Sequence, residues 1–348
     1  MPDGGISVLH VLPYPGGGGE TYVNHLGRMD GYRTETVYVS NRPGPSPHVL
    51  SGALHAQLSG RHFDLLHVHG EIAAGLCIPT LALSRSVVTI HGLHVVRRVE
   101  GWRRTMAVAN LRLVVRSASR TICVGEAELA EVKSLVGAMK RVVLVRNGVD
   151  ESPPPTADER TAARSELGIP ATAAVGLYLA ALDPHKEPMV VARAALEVAG
   201  KGVPLVLLFA GDGPLRDQLG SLDRDGAVLQ LLGFQTDVRR VLAASDFFIL
   251  PSRREGLSFA LLEAMSAGLP PVVSDAPGNP EAVGEAGIVV PRGDLAGFRD
   301  AFERLALDEE DRKRLGERAR TRVAEAFSLD SMVERTRQVY NDVLAGHP

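Results

Sequence analysis

At 348 residues the chain is more than twice a common domain length of about 150, so two domains are expected. Hydrophobic residues make up 45% and charged residues 23%, enough for two packed cores, and a formal net charge of −3 argues against wholesale nucleic-acid binding. Cys77 and Cys123 lie in apolar runs and read as small buried hydrophobes rather than a disulfide framework. The opening MPDGGISVLHVL lacks a basic stretch followed by a long apolar one, so no signal peptide is expected. No run of about 18 apolar residues could span a bilayer, and the expected location is the cytoplasm.

Short β-branched runs alternate with helical patterns along almost the whole chain. In the first half the strands are expected at Ile6–Leu12, Glu35–Val39, Leu65–Val68, Val87–Ile90, Thr121–Val124 and Val142–Val145, with helices such as Arg103–Arg116 and Glu126–Leu135 between them. Most of these strands are apolar on both faces, as strands covered by two helix layers must be. The rhythm is that of parallel βα units in a doubly wound sheet.

Pro153, Pro154 and Pro155 can continue neither helix nor ladder and mark the expected hinge. Beyond them the rhythm restarts, with strands expected at Ala174–Leu179, Leu205–Ala210, Val228–Leu232, Phe247–Leu250, Pro271–Ser274 and Ile288–Val290. Two long helical stretches follow, around Glu309–Ala326 and Leu329–Ala345. The domains are therefore expected at 1–155, joined by a returning helix at 328–348, and at 156–327. Two Rossmann-like sheets facing a central cleft would carry function in the loops that follow their strands.

Gly16–Gly19 and Glu20 follow the first strand and precede a helix, a place where backbone can approach an anionic or sugar ligand closely. They are not the dinucleotide fingerprint, because Thr21 or Tyr22 stands where its last glycine would have to be. The densest cluster is Arg254–Ala267, REGLSFALLEAMSA, directly after the strand Phe247–Leu250. Glu255 falls in the strand-to-helix loop and Glu263 eight residues on, with the backbone amides of Leu257, Ser258 and Phe259 at the helix N-terminus between them. Such a site can hold a pyrophosphate and a sugar, the carboxylates accepting from hydroxyls.

This E-x₇-E pattern, inside E-G-x₆-E-A-M-x₂-G and followed by Pro270 and Val272–Ser274, is similar to the donor-site signature of the large retaining glycosyltransferase family with the GT-B fold, glycosyltransferase family four or the "group one" transferases. Further matches stand in the family's order: Gly16–Gly19, Ile90-His91-Gly92, Arg146-Asn147-Gly148-Val149-Asp150, Lys186, Ala210-Gly211-Asp212-Gly213-Pro214, Leu232-Gly233-Phe234 and Asp246. The resemblance implies a GT-B fold and a hexose-type sugar moved from a nucleotide sugar, without a metal or other cofactor. It implies that Glu255 meets the donor sugar, Glu263 the ribose, Lys186 the diphosphate and His91 the transferred sugar. Gly18, Gly19 and Gly211 would bring backbone to the donor, and Phe234 would offer backbone atoms to the base. A fixed cation on the diphosphate stabilises charge that builds up as the glycosidic bond breaks, an effect on the order of 3 kcal/mol.

One position departs from the pattern. The family usually carries Arg four or five residues before the lysine, and here Ala181 stands there. His185 or an arginine from elsewhere would have to supply the second cation, or activity is reduced or lost. A sugar-nucleotide epimerase on the same architecture and a non-catalytic nucleotide-sugar-binding protein are the alternatives.

Asp223-Arg224-Asp225 matches a metal-binding pattern of another glycosyltransferase fold, but lies in a polar turn and reads as solvated loop. His67 and His69 share a strand face; zinc would need a third ligand, so lining of an acceptor cleft is the expected role. Between His94 and Arg120 stand Arg97, Arg98, Arg103, Arg104, Arg112, Arg116 and Arg120, with Trp102 among them and Glu100 as the single acid. This is either a solvated helix face or a surface for anionic lipid or a phosphorylated acceptor, consistent with an enzyme peripheral at the inner membrane face. The apolar Met332, Val333, Val339, Tyr340, Val343 and Leu344 of the last segment resemble the family's returning helix.

Overall fold

The structure is a computed structural model, and it describes residues 5–40, 58 and 61–346. Met1–Gly4 of the amino-terminal stretch lie outside the described residues. The chain divides into two compact units, one running to Asn147 and resuming at Leu329, the other comprising Gly148–Ser328.

Among the described residues, each unit holds a six-stranded parallel sheet flanked by helices. The first contains β1 (Ile6–Leu12), β2 (Tyr32–Tyr38), β3 (Leu65–His69), β4 (Ser86–Ile90), β5 (Arg120–Cys123) and β6 (Val142–Leu144), in the order β2-β1-β3-β4-β5-β6. The second contains β7 (Ala174–Leu179), β8 (Leu205–Ala210), β9 (Leu229–Gly233), β10 (Phe247–Leu250), β11 (Pro271–Ser274) and β12 (Ile288–Val290), in the order β12-β11-β10-β7-β8-β9. The expected doubly wound architecture is thus present. All residues of β3, β4, β5, β8, β10 and β11 are buried, which is why β8 and β10 read as continuous apolar runs and the others are mainly apolar without alternation, their few polar residues being buried as well. β2 is the exception: at the sheet edge it is largely exposed, and it begins at Tyr32, three residues before the expected start, where polar residues hide a strand from a hydrophobic reading.

In both sheets the winding direction reverses beside the first strand, between β1 and β3 and between β7 and β10. At such a reversal the connections leave in opposite directions, opening a crevice beyond the carboxyl ends of the two strands. The loops after β7 and β10 carry Lys186 and Glu255. Strand order alone therefore brings together two residues 69 positions apart in the chain.

The join between the units falls at Asn147/Gly148, eight residues before the expected boundary, and the proline triplet belongs to the second unit. Hydrogen bonds account for the difference. Ser152 N donates to Ser266 Oγ, Ser266 Oγ donates to the Asp150 carbonyl, and Val149 N donates to the Phe327 carbonyl, so Gly148–Ser152 are already tied to the second unit before the prolines are reached.

Asp246 is a structural residue of this unit. It pairs with Arg160 and Arg164 and accepts from Val175 N, fastening the helix Ala157–Glu166 to the sheet. The helix Leu329–Leu344 packs into the first unit, burying Met332, Val333, Val339, Tyr340 and Val343 as its apolar pattern predicts, with Leu344 half-buried. Its polar contacts are less expected: Tyr340 Oη lies 2.6 Å from His67 Nδ1, and Thr336 Oγ1 lies 3.2 Å from Tyr22 Oη. Cys77 and Cys123 are free and buried, and burial pushes the Cys77 thiol up to about 12.

Candidate active site

The second unit presents an ion pair at its strand reversal. Lys186 closes a single 3-10 turn, Pro184–Lys186, after β7, and its Nζ donates to Glu255 Oε1 at 2.6 Å. Glu255 is buried and Lys186 half-buried, so the two charges stabilise each other where water is scarce. The residue after the lysine, Glu187, adopts a left-handed backbone (φ 50°), the one non-glycine among the described residues to do so. It is buried and pairs with Arg253, whose backbone N–H donates to the His185 carbonyl at 2.9 Å. A strained residue held by an ion pair thus links the lysine turn to the chain that leads into Glu255.

Ser258 caps the helix Phe259–Ser266, its Oγ accepting from Leu261 N at 3.4 Å. Leu257 and Phe259 are buried beside it. Glu263 lies on that helix as expected, half-buried, and burial pushes its carboxyl up to about 7. Beneath the Glu255 loop is Gly278 (φ 91°), where any Cβ would overlap the Gly256 carbonyl oxygen. Only a glycine lets these two segments close on each other. Gly211 plays the same part beside β7: a Cβ there would overlap the Ala180 carbonyl oxygen, and its N–H donates to Gly233 O at 2.8 Å. Phe234 follows Gly233, is 76% exposed, and its carbonyl accepts from Gln235 Nε2 at 3.4 Å.

Ala181 lends only its carbonyl, which accepts from Tyr178 Oη at 2.7 Å. His185 is a poor replacement for the missing arginine, because burial and the neighbouring Lys186 lower its pKa and leave it neutral at pH 7. Arg254, the residue before Glu255 in the loop after β10, is a further cation of the same loop.

The first unit gathers histidines. His10 comes from β1, His67 and His69 from β3, and His91 from the residue after β4. His10 Nδ1 and His69 Nε2 are 3.0 Å apart, as are His69 Nδ1 and His91 Nε2. His67 is held on both ring nitrogens, by Tyr340 Oη and by Thr89 Oγ1 at 2.7 Å. Ring nitrogens of His10, His67 and His69 lie within 4.8 Å of one another, so His10 is the third ligand that a metal would require and that sequence spacing could not supply. Both ring nitrogens of His67 and of His69 are already hydrogen-bonded, and an ion there would have to displace those bonds. Burial and the neighbouring imidazoles keep His67 and His69 well below the usual histidine range, and burial brings His10 and His91 down to about 3.

The glycine run differs from its expected form. Gly17–Gly19 are the first turn of the helix Gly17–Leu26 rather than a loop ahead of it, and Gly16 N donates to Glu20 Oε2 at 2.7 Å. Gly18 is exposed and Gly19 half-buried. Asp223 accepts from Val228 N and Leu229 N at 2.7 Å each, so the D-x-D stretch is a turn braced by its first aspartate.

Comparison with known proteins places the chain. The sequence model described as "Glycosyl transferases group 1" matches residues 159–322, and that described as "Glycosyltransferase Family 4" matches residues 5–152. N-acetyl-alpha-D-glucosaminyl L-malate synthase of Bacillus anthracis is 30% identical over 295 residues, covering 81% of this chain and 76% of that one. The chain belongs to the group 1 glycosyltransferases. An Escherichia coli relative, UDP-Gal:alpha-D-GlcNAc-diphosphoundecaprenol alpha-1,3-galactosyltransferase, is 27% identical over 84% of this chain and 79% of its own. Among solved structures, sucrose-phosphate synthase from Thermosynechococcus elongatus superposes with a TM-score of 0.82 at 19% identity, covering 98% of this chain and 100% of that one. Anabaena HepE in complex with UDP-glucose gives a TM-score of 0.78 at 17% identity, covering 97% and 100%. These neighbours share the GT-B fold of this glycosyltransferase.

The sequence pattern carries only a weak signal for Gly278, its place between β11 and a Pro-containing helix start. Gly278→Ala is expected to lower the stability of this glycosyltransferase by about 2 kcal/mol in urea unfolding and to shift the Glu255–Leu257 loop in a structure of the variant.

Proposed function

We propose that this glycosyltransferase moves a hexose-type sugar from a nucleotide sugar to its acceptor with retention of anomeric configuration and without a metal ion. The observation that carries the reading is the Lys186–Glu255 pair at the β7/β10 reversal, inside the segment that matches the family. Without ligand, the ammonium and the carboxylate neutralise each other. A nucleotide sugar offers each a better-matched partner: the diphosphate takes Lys186, and a sugar hydroxyl donates to Glu255. The N-terminal end of the helix Phe259–Ser266 favours the same negative charge, with Leu257, Ser258 and Phe259 at its start. As the glycosidic bond breaks, charge accumulates on the departing diphosphate, and Lys186, with Arg254 nearby, stabilises it.

Glu263 is assigned to the ribose hydroxyls, Gly211 and Phe234 to backbone contact with the nucleotide, and Gly18 and Gly19 to close approach of the helix N-terminus. His91 is assigned a hydrogen bond to the transferred sugar. Retention follows from front-side displacement within an ion pair, the acceptor entering on the face the diphosphate leaves. UDP-linked sugars are the first donors to try, because the E. coli relative's name and the HepE complex both contain one.

We also assign a membrane-facing role to the helix Gly101–Ser117. Arg97 is taken up by Glu131, Arg112 by the Leu135 carbonyl, and Arg120 is buried. Arg98, Arg103, Arg104 and Arg116 are exposed, together with Trp102 (73%), Met106 (62%) and Leu113. Arginines around an exposed indole and thioether suit the headgroup region of an anionic bilayer. We take this contact to be peripheral, at the cytoplasmic face; among the described residues no helix is long and apolar enough to cross a membrane.

Glu255→Ala is expected to abolish transfer in a chain whose far-UV circular dichroism is still that of the folded protein, with a lowered melting temperature because Lys186 loses its partner; a variant with wild-type turnover would remove the centre of the proposal. Product analysis by anomeric NMR separates a retained glycoside from an inverted one and from an epimerised donor. Because Glu263 is ionised only above about 7, donor Kd measured by calorimetry should tighten from pH 6 to pH 8, and Glu263→Gln should flatten that profile. Trp102 is the sole tryptophan, so its fluorescence should shift to the blue with phosphatidylglycerol vesicles and not with phosphatidylcholine ones. Arg103→Glu with Arg104→Glu should abolish that shift.

A further inference from the structure

The histidines of the first unit are arranged in a line with a direction. His10, His69 and His91 meet through nitrogen pairs, each 3.0 Å apart. The ring planes are 28° apart for His10 and His69 and 17° apart for His69 and His91, with centroids 5.3 Å apart in both pairs. The nitrogen-to-nitrogen gap accounts for most of that separation, so the rings join edge to edge in nearly one plane, the geometry of an N–H···N hydrogen bond rather than of face stacking.

Neutral imidazole carries one N–H and one bare nitrogen. His69 uses both of its ring nitrogens in the line, one as donor and the other as acceptor, so its two bonds must run the same way. Only two arrangements exist. In one, His91 Nε2–H donates to His69 and His69 donates to His10, and the last proton falls on His10 Nε2. In the other, His10 Nδ1–H donates to His69 Nε2, His69 Nδ1–H donates to His91 Nε2, and the proton of His91 resides on Nδ1.

The inner end of the line chooses between them. His10 Nε2 is buried and, among the described residues, has no hydrogen-bond partner. Burying an unpaired N–H is rarer and costlier than leaving a lone pair unshared, so the proton of His10 belongs on Nδ1 and the second arrangement holds. We propose that the His10–His69 pair fixes the tautomer of His91, so that His91 accepts from His69 at Nε2 and is a hydrogen-bond donor from Nδ1. His10 and His69 are then positioning residues, acting through His91.

The surroundings reinforce this. His67 lies against His69 with ring centroids 4.1 Å apart, and is itself anchored by Tyr340 and Thr89, so His69 has a fixed wall. The backbone next to His91 is pinned separately: Gly92 N–H donates to the buried Glu128, which also accepts from Val124 N. Low basicity of all three imidazoles keeps the line neutral, the condition under which it has a single direction. An Nδ1–H donor suits an oxygen of a sugar that accepts, whether the ring oxygen, which has no proton, or a hydroxyl whose own proton is directed elsewhere. In that respect the inference rests on the proposed contact between His91 and the transferred sugar.

The test separates the two. In protein labelled with 15N-histidine, long-range 1H–15N correlation spectra, assigned with His69→Asn and His91→Gln, report which nitrogen of His91 is protonated. The expected result is Nδ1; a proton on Nε2 overturns the proposal. His69→Leu should shift His91 toward the Nε2–H form and lower kcat/KM for the donor about tenfold, the scale of one lost hydrogen bond. In His69→Asn the amide nitrogen stands where Nδ1 stood and can still donate to His91, so the tautomer and most of the activity should return. Equal loss in two folded variants would show that His69 only packs, and would overturn the positioning role. His91→Ala probes the underlying reading: undiminished transfer would dismiss the sugar contact, and the functional half of the inference with it, even with the Nδ1 proton in place.

Discussion

An ammonium and a carboxylate 2.6 Å apart, each carried on a loop at the end of a buried strand, impose most of what surrounds them in the second unit. Neither charge could be left there alone without a large desolvation penalty, so their loops must meet closely and reproducibly. That requirement explains the glycine at position 278, which lets the Glu255 loop settle onto the next segment. It also explains Glu187, whose left-handed backbone is held by Arg253 immediately beyond the lysine. The sheet supplies the rest. Because β7 and β10 are neighbours at a winding reversal, their connections part and leave the paired side chains at the carboxyl ends of the strands.

The two units use polarity differently. The second holds strong charges at its strand ends and an apolar interior, with Asp246 and its arginines as the ionic clasp between helix and sheet. The first places four neutral imidazoles and several hydroxyls around β1, β3 and β4. Its returning helix contributes Tyr340 and Thr336 to that network, so the last segment of the chain helps to hold residues near the first strand. A polar network of this kind specifies one arrangement of its members more sharply than apolar contact would, because each misplaced donor or acceptor is left unpaired.

Much of the fold was legible because parallel strands covered on both faces are mostly apolar. β1, β7, β8, β10, β11 and β12 begin and end where the apolar runs do. β2 was misjudged at its start because an edge strand is not obliged to bury its side chains. The join at Asn147/Gly148 was hidden for a different reason: prolines advertise a break in regular structure, whereas the division depends on which unit the preceding residues are bonded to.

For the site, the chain order of motifs determined the family, and the helix following β10 fixed Glu255 in a loop and Glu263 on the helix, since those placements depend on local periodicity. Whether Lys186 reaches Glu255, whether Ser266 ties down the join, and whether His10 completes a line with His69 and His91 were decided only by tertiary structure. Spacing along a chain constrains neighbours within a turn or two. Contacts across a sheet depend on strand order, and strand order is set by the packing of all the strands together.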